Sequence, residues 1–165
     1  MTEPKINKKI EDLAKHYASL IKKAKGTHKS EIGWDDIRYC IMEIHYILES
    51  DMDMIIAKRY VGRKANVITD LKVTILSKLD FYRKIAILEE IEDELKVGMP
   101  ISQLKYINNL RNALIHNHPK SDNAFKYKGG HIYNDLKFEN VCQDALSLFG
   151  KLREIRDKIP PKPLR

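Results

Sequence analysis

Cysteine is scarce: Cys40 and Cys142 are the only two in 165 residues, and neither lies in a C-x-x-C context. The pair points away from a disulfide framework, and no zinc module is signalled. Both thiols fall among apolar residues, which predicts reduced, buried side chains in a cytoplasmic protein. Long apolar runs are lacking too. None approaches the roughly 20 residues that a membrane-crossing helix needs, and Met1 to Ile10 is polar and charged, with no apolar signal core. No membrane partner is expected. Acidic charge is in deficit, with 23 Asp and Glu against 30 Lys and Arg and a formal net charge of +7. This balance favours a polyanionic partner, nucleic acid first, although basicity for solubility alone has the same signature. Internal repeats and interdomain linkers are absent, so the expectation is one domain over residues 1–159 and an extended, loose tail at 160–165.

What is present is helical periodicity. Hydrophobic residues make up 43% and charged residues 32%, enough for a core with a solvated surface. Ile6, Ile10, Leu13, Tyr17, Leu20 and Ala24 predict a first helix that stops at Gly26. A second begins near Trp34, with Asp35 and Asp36 in its first turn, buries Ile37, Ile41, Ile44, Leu48, Met52 and Ile55, and ends near Gly62. From Val67 to Val97, Leu71, Ile75, Leu79, Tyr82, Ala86 and Ile91 form the buried side of one helical region, or of two helices where the chain breaks near Asp80. A further helix starts after Pro100 with Ser102 as N-cap. It buries Leu104, Ile107, Leu110 and Leu114 and ends around Asn117, because Pro119 disfavours helix at the residue before it. Gly129-Gly130 between Phe125, Tyr127, Ile132 and Tyr133 predicts a small hairpin or loop. A last helix buries Val141, Ala145, Leu148, Leu152 and Ile155. The expected fold is an all-α, up-and-down bundle of four to five helices with this insert before the last one.

The chemistry concentrates in Arg111-Asn112-Ala113-Leu114-Ile115-His116. On a helix Asn112 and His116 share a face, and Arg111 lies roughly 140° round from His116 at ~100° per residue. Two such helix ends related by a two-fold axis would bring two cations and two imidazoles to one phosphate. An imidazole can deprotonate a ribose 2′-OH near neutral pH. A guanidinium fork can stabilise the dianionic phosphorane, and a second imidazole can protonate the departing 5′-oxygen. Asn112 would orient a side chain or touch the phosphate. Arg111, Asn112 and His116 are thus the candidate catalytic residues, with no metal or cofactor required. Asn117, His118, Lys105 and Lys120 flank them as candidate substrate contacts.

Arg111-Asn112-x-x-x-His116 resembles the R-x4–6-H motif of HEPN (higher eukaryotes and prokaryotes nucleotide-binding) domains. The polar residue after the arginine and the late position in an all-α bundle belong to that pattern. The resemblance covers Asp70 to Lys158. It implies a metal-independent endoribonuclease acting on RNA as a homodimer, in a toxin–antitoxin, phage-defence or RNA-processing setting, with an antitoxin or defence partner. One departure stands out. A tyrosine often follows the motif histidine by two residues in members paired with a nucleotidyltransferase antitoxin, and receives the nucleotide. Here that position is His118.

Plainer readings exist. His116 could simply complement the helix dipole, and Asn117 could cap the helix in a left-handed conformation. His16 and His45 read as packed or boundary residues. The run Glu89-Glu90-Ile91-Glu92-Asp93-Glu94 spreads its carboxylates over several faces and reads as a solvated surface. A bundle that binds nucleotide, RNA or protein without cleaving, or a scaffold whose basic surface is incidental, are the rival functions.

Overall fold

Twenty-eight consecutive residues, Trp34–Val61, form helix α1 in the computed structural model, which describes residues 34–116, 126–127, 130–131 and 138–163. The helix expected over Ile6 to Ala24, and His16 with it, lies outside the described residues. α1 is about 42 Å long at 1.5 Å per residue. Its whole expected stripe from Ile37 to Ile55 is buried. The helix stops at Gly62, whose φ of 77° is the left-handed turn that glycine makes without strain, and whose N–H donates to the Lys58 carbonyl at 3.2 Å.

Helix α2 (Ala65–Thr74) and a 3-10 turn (Leu76–Lys78) lead to α3 (Phe81–Leu95). The break expected at Asp80 is there for a physical reason: its Oδ1 accepts the Arg83 N–H at 2.8 Å and caps α3. The buried side differs from expectation. Ile75, Tyr82 and Ala86 are exposed, Leu71 and Leu79 are half-buried, and the buried face of α3 is Phe81, Lys84, Ile85, Leu88 and Ile91. The Asp80 cap restarts the helical phase, so a stripe counted on through the break selects Tyr82 and Ala86, whereas Ile75 lies at the C-cap of α2, past its last helical turn.

After α3, Lys96 takes a left-handed conformation (φ 52°), and the Glu92 carboxylate accepts the Met99 N–H at 2.8 Å. Helix α4 spans Ile101–His116 and buries Leu104, Ile107, Leu110 and Leu114 as expected, together with Asn108. It starts before Ser102, which therefore lies inside the first turn and is not the cap. The Pro100 carbonyl accepts the first helical N–H, from Leu104, at 3.1 Å. Strands β1 (Lys126–Tyr127) and β2 (Gly130–His131) pair antiparallel, Lys126 opposite His131, which is the small hairpin the glycines predict. Helix α5 (Phe138–Lys158) buries Val141, Ala145, Leu148, Leu152 and Ile155. The described residues form an all-α bundle in which α1 packs against each of α2, α3, α4 and α5. Cys40 and Cys142 are buried and form no disulfide. No helix among the described residues is long and apolar enough to cross a membrane.

Over its described residues, 160–163, the tail is held against the end of α1 and is not loose. Arg59 is buried at the end of α1 and its Nη1 donates to the Pro160 carbonyl at 3.1 Å. The Lys162 N–H donates to the Arg59 carbonyl at 2.6 Å, and Lys162 Nζ lies 5.4 Å from the Tyr60 ring centroid. A last-turn carbonyl of α1 has no partner within its own helix, and the tail supplies one. Ending the chain at Ile159 is expected to lower stability by about 1 kcal/mol, the net value of a hydrogen bond or two. A downward shift of the urea midpoint at unchanged m-value checks it.

Candidate active site

Three elements converge on a cleft of about 390 Å³. From α1 come His45 and Glu49, from the start of α3 come Asp80, Phe81 and Tyr82, and from α4 come Asn108, Arg111 and Asn112. Two of the three residues singled out as catalytic therefore line one cavity.

Arg111 is half-buried, and its Nη1 donates to Asn112 Oδ1 at 3.0 Å. Its Nε is buried without a hydrogen-bond partner, and among the described residues the guanidinium faces no carboxylate within ion-pair distance. Arg59, in contrast, pairs with Glu94 at 2.7 Å. With Asn112 Oδ1 occupied by Arg111, the Asn112 amide group keeps two N–H donors. The pair thus presents several donors and a positive charge with no carboxylate in ion-pair distance among the described residues, which suits an oxyanion such as phosphate.

His45 is only 8% exposed. Its Nε2 lies 3.3 Å from Asn108 Oδ1, and its ring packs 4.0 Å, centroid to centroid, from Phe81. Because Asn108 Oδ1 can only accept, Nε2 carries the proton. Burial holds the His45 pKa below its usual value; the Asn108 contact opposes this, and the Arg111 charge adds to it. His45 is accordingly a neutral imidazole at neutral pH. The unfolded chain binds this proton more readily, so the His45 contribution to stability is complete above the ordinary histidine pKa of about 6.5 and declines as pH falls below it. His45→Gln is expected to flatten the fall in stability between pH 7 and 5, as read from urea midpoints along a pH series. An unchanged slope contradicts the assignment.

Beneath the cleft, Lys84 is 1% exposed and pairs with both Glu49 Oε1 and Asp53 Oδ1 at 2.8 Å. Burial works against its charge, but the bonds to Asp53 and Glu49 outweigh it and hold the ammonium pKa above its usual value. The Glu49 carboxylate in the cleft wall thus shares one ammonium with Asp53.

His116, the third candidate, is the exposed last residue of α4, makes no hydrogen bond among the described residues and does not line the cleft. It follows Asn112 by one helical turn, about 6 Å along the axis and roughly 40° round it. Lys105 lies on the same stripe of α4, one end of the helix from His116, and forms an ion pair with Glu89, which holds its ammonium pKa above the usual value. It is a tethered cation, not a free one. Asn117, His118 and Lys120 lie outside the described residues. The acidic run of α3 is used piecemeal, with Glu89 on Lys105, Asp93 on Lys96 and Glu94 on Arg59. Among the described residues no cluster of His, Cys, Asp or Glu is placed to hold a metal ion.

His45, Glu49 and Tyr82 are cleft residues that sequence reasoning missed. Asn108 carried a signal, since it precedes Asn112 by one turn; His45, Glu49 and Tyr82 arrive from other helices and carried none. Compared with protein-family models, with curated proteins and with solved structures, the chain matches none.

Proposed function

We propose that this protein is an endoribonuclease that cleaves RNA without a metal, by attack of the ribose 2′-OH on the adjacent phosphate. One observation carries the reading: a cleft-lining guanidinium with no carboxylate partner among the described residues, bonded to Asn112 and five residues before an exposed imidazole that makes no hydrogen bond among them. In the reaction, one His116 takes the 2′-OH proton, and the O2′–P bond forms. Arg111 and Asn112 hold the charged phosphorane oxygens. The P–O5′ bond then breaks, and His116 of a second copy gives its proton to the leaving oxygen. The products are a 2′,3′-cyclic phosphate and a 5′-hydroxyl. A homodimer is part of this reading, because one protomer carries one motif histidine. The resemblance to HEPN domains is what suggests a toxin or phage-defence role with an antitoxin or defence partner. Buried cysteines outside any disulfide fit a cytoplasmic setting.

The test is incubation with RNA in excess EDTA. Cleavage to cyclic-phosphate ends, blocked by a 2′-deoxy substitution at the scissile nucleotide, is the expected result. Cutting that requires added metal, or that leaves 5′-phosphates, defeats the mechanism. One feature favours a second reading, a phosphate-binding module without turnover: the imidazole inside the cleft, His45, is buried and bonded, and the exposed His116 stands outside it. Saturable RNA binding with no product in the same assay selects that reading.

A further inference from the structure

Tyr82 is the least expected residue of the cleft. Its place in an apolar series predicts burial, yet it is 64% exposed. It is the second residue of α3 and follows Phe81, which packs inward against His45. The exposed Tyr82 ring thus lines the same cavity as the donors of Arg111 and Asn112. An exposed tyrosine ring beside unpaired phosphate donors matches the two parts of a nucleotide. The π-face suits a base, and the guanidinium and amide suit its phosphate.

The carboxylates in the cleft do not oppose this arrangement. Glu49 shares the Lys84 ammonium with Asp53, and Asp80 is turned to the Arg83 backbone N–H and lies 3.7 Å from Arg83 Nε. Among the described cleft residues Arg111 supplies the cation and Tyr82 the exposed aromatic surface. A cavity of about 390 Å³ is at the small end of ligand pockets. It is of a size to take one nucleotide. Bases within a duplex are stacked and cannot enter, whereas single-stranded RNA splays its bases onto aromatic side chains.

We propose that the cleft between the start of α3 and the middle of α4 is a single-nucleotide pocket, in which an unstacked RNA base lies on the Tyr82 ring while Arg111 and Asn112 hold its phosphate. The pocket rests on the reading of the protein as an RNA-acting one. It deepens that reading by fixing the substrate as single-stranded and by making Tyr82 a specificity residue beside the reaction.

The experiment uses full-length His116→Ala protein and a uridine-rich RNA carrying one 2-aminopurine, whose fluorescence falls when it stacks. Saturable quenching is expected for His116→Ala and for His116→Ala with Tyr82→Phe. With Tyr82→Ala the quench is expected to disappear and the affinity to fall about fivefold to a hundredfold, the range for loss of one base–aromatic stack. The same RNA annealed to its complement is expected to show no quench. Because Tyr82 is exposed, unchanged thermal unfolding of Tyr82→Ala is expected, which separates lost binding from lost folding. Equal quench and affinity with Tyr82→Ala, equal binding of the duplex, or no RNA binding at all overturns the pocket. The readout needs no turnover. A Tyr82-dependent quench by protein whose wild type does not cut RNA keeps the pocket and removes the nuclease; cutting by wild type with no dependence on Tyr82 does the reverse.

Discussion

Arg111→Ala and His116→Ala are each expected to lower the first-order rate of RNA cleavage in EDTA by about 100- to 1000-fold, as loss of an oxyanion donor or of a general acid–base does elsewhere. The two losses have different signatures. Arg111 meets the phosphate with a planar fork, and one arm of that fork is already fixed on Asn112 Oδ1. Arg111→Lys keeps the charge but cannot keep both the Asn112 bond and a bidentate grip. Its activity is therefore expected to stay close to that of Arg111→Ala. His116 acts by moving protons, so His116→Ala is expected to abolish the acid–base limbs of the pH–rate profile, while RNA affinity changes little. Rates measured at saturating RNA, with the profile taken from pH 5 to 9, check both. Wild-type rates in either alanine variant, with product ends unchanged, would mean that other groups do the chemistry.

The largest effect on stability is expected at Lys84. Breaking a buried ion pair from one side costs about 3–5 kcal/mol, because it strands an unpaired charge. Lys84→Met strands two, Glu49 and Asp53. Glu49 is the more exposed of the two, so water recovers part of the loss and the lower end of that range, about 3 kcal/mol, is expected. For a domain of this size the melting temperature should fall by roughly 6–12 °C. Removing all three charges together, as Lys84→Met with Glu49→Gln and Asp53→Asn, is expected to restore most of the loss, since the desolvation cost disappears with the charges. The pH dependence has a definite sign. Burial holds the Asp53 pKa above its ordinary value, so the native chain binds this proton more readily than the unfolded one. The Lys84→Met deficit should therefore shrink as pH falls toward the ordinary aspartate pKa, about 3.9. In wild type the Lys84 contribution, from a raised ammonium pKa, persists below about 10.5 and is lost as pH climbs through the folded value. Urea midpoints at pH 7 and pH 5 for the three proteins decide the matter. A Lys84→Met deficit under 1 kcal/mol at pH 7 would show that water already reaches this cluster.

The plan of the helices was legible in the chain. The α1 stripe from Ile37 to Ile55, the glycine stop at Gly62, the break at Asp80 and the buried face of α4 follow from spacing, caps and left-handed turns. All of these act within a few residues of one another. The exceptions are instructive. Tyr82 and Ala86 were assigned to the wrong side because a capping aspartate resets the phase of the next helix, and a count of apolar residues does not register a cap. The tail at 160–163 looked loose because proline-rich segments form no internal hydrogen bonds. Its partner, the buried Arg59, lies 101 residues away from Pro160.

By itself the sequence determined an all-helical plan and set Arg111, Asn112 and His116 within two turns of one helix, since helical spacing is a local property of the backbone. Tertiary packing alone decided what faces them. His45 meets Asn108 across 63 residues of chain, and Tyr82 comes to the same cavity from a third helix. Which side chains share a cleft depends on how helices cross. Crossing is settled by the interlocking of whole surfaces, which no short stretch of sequence encodes.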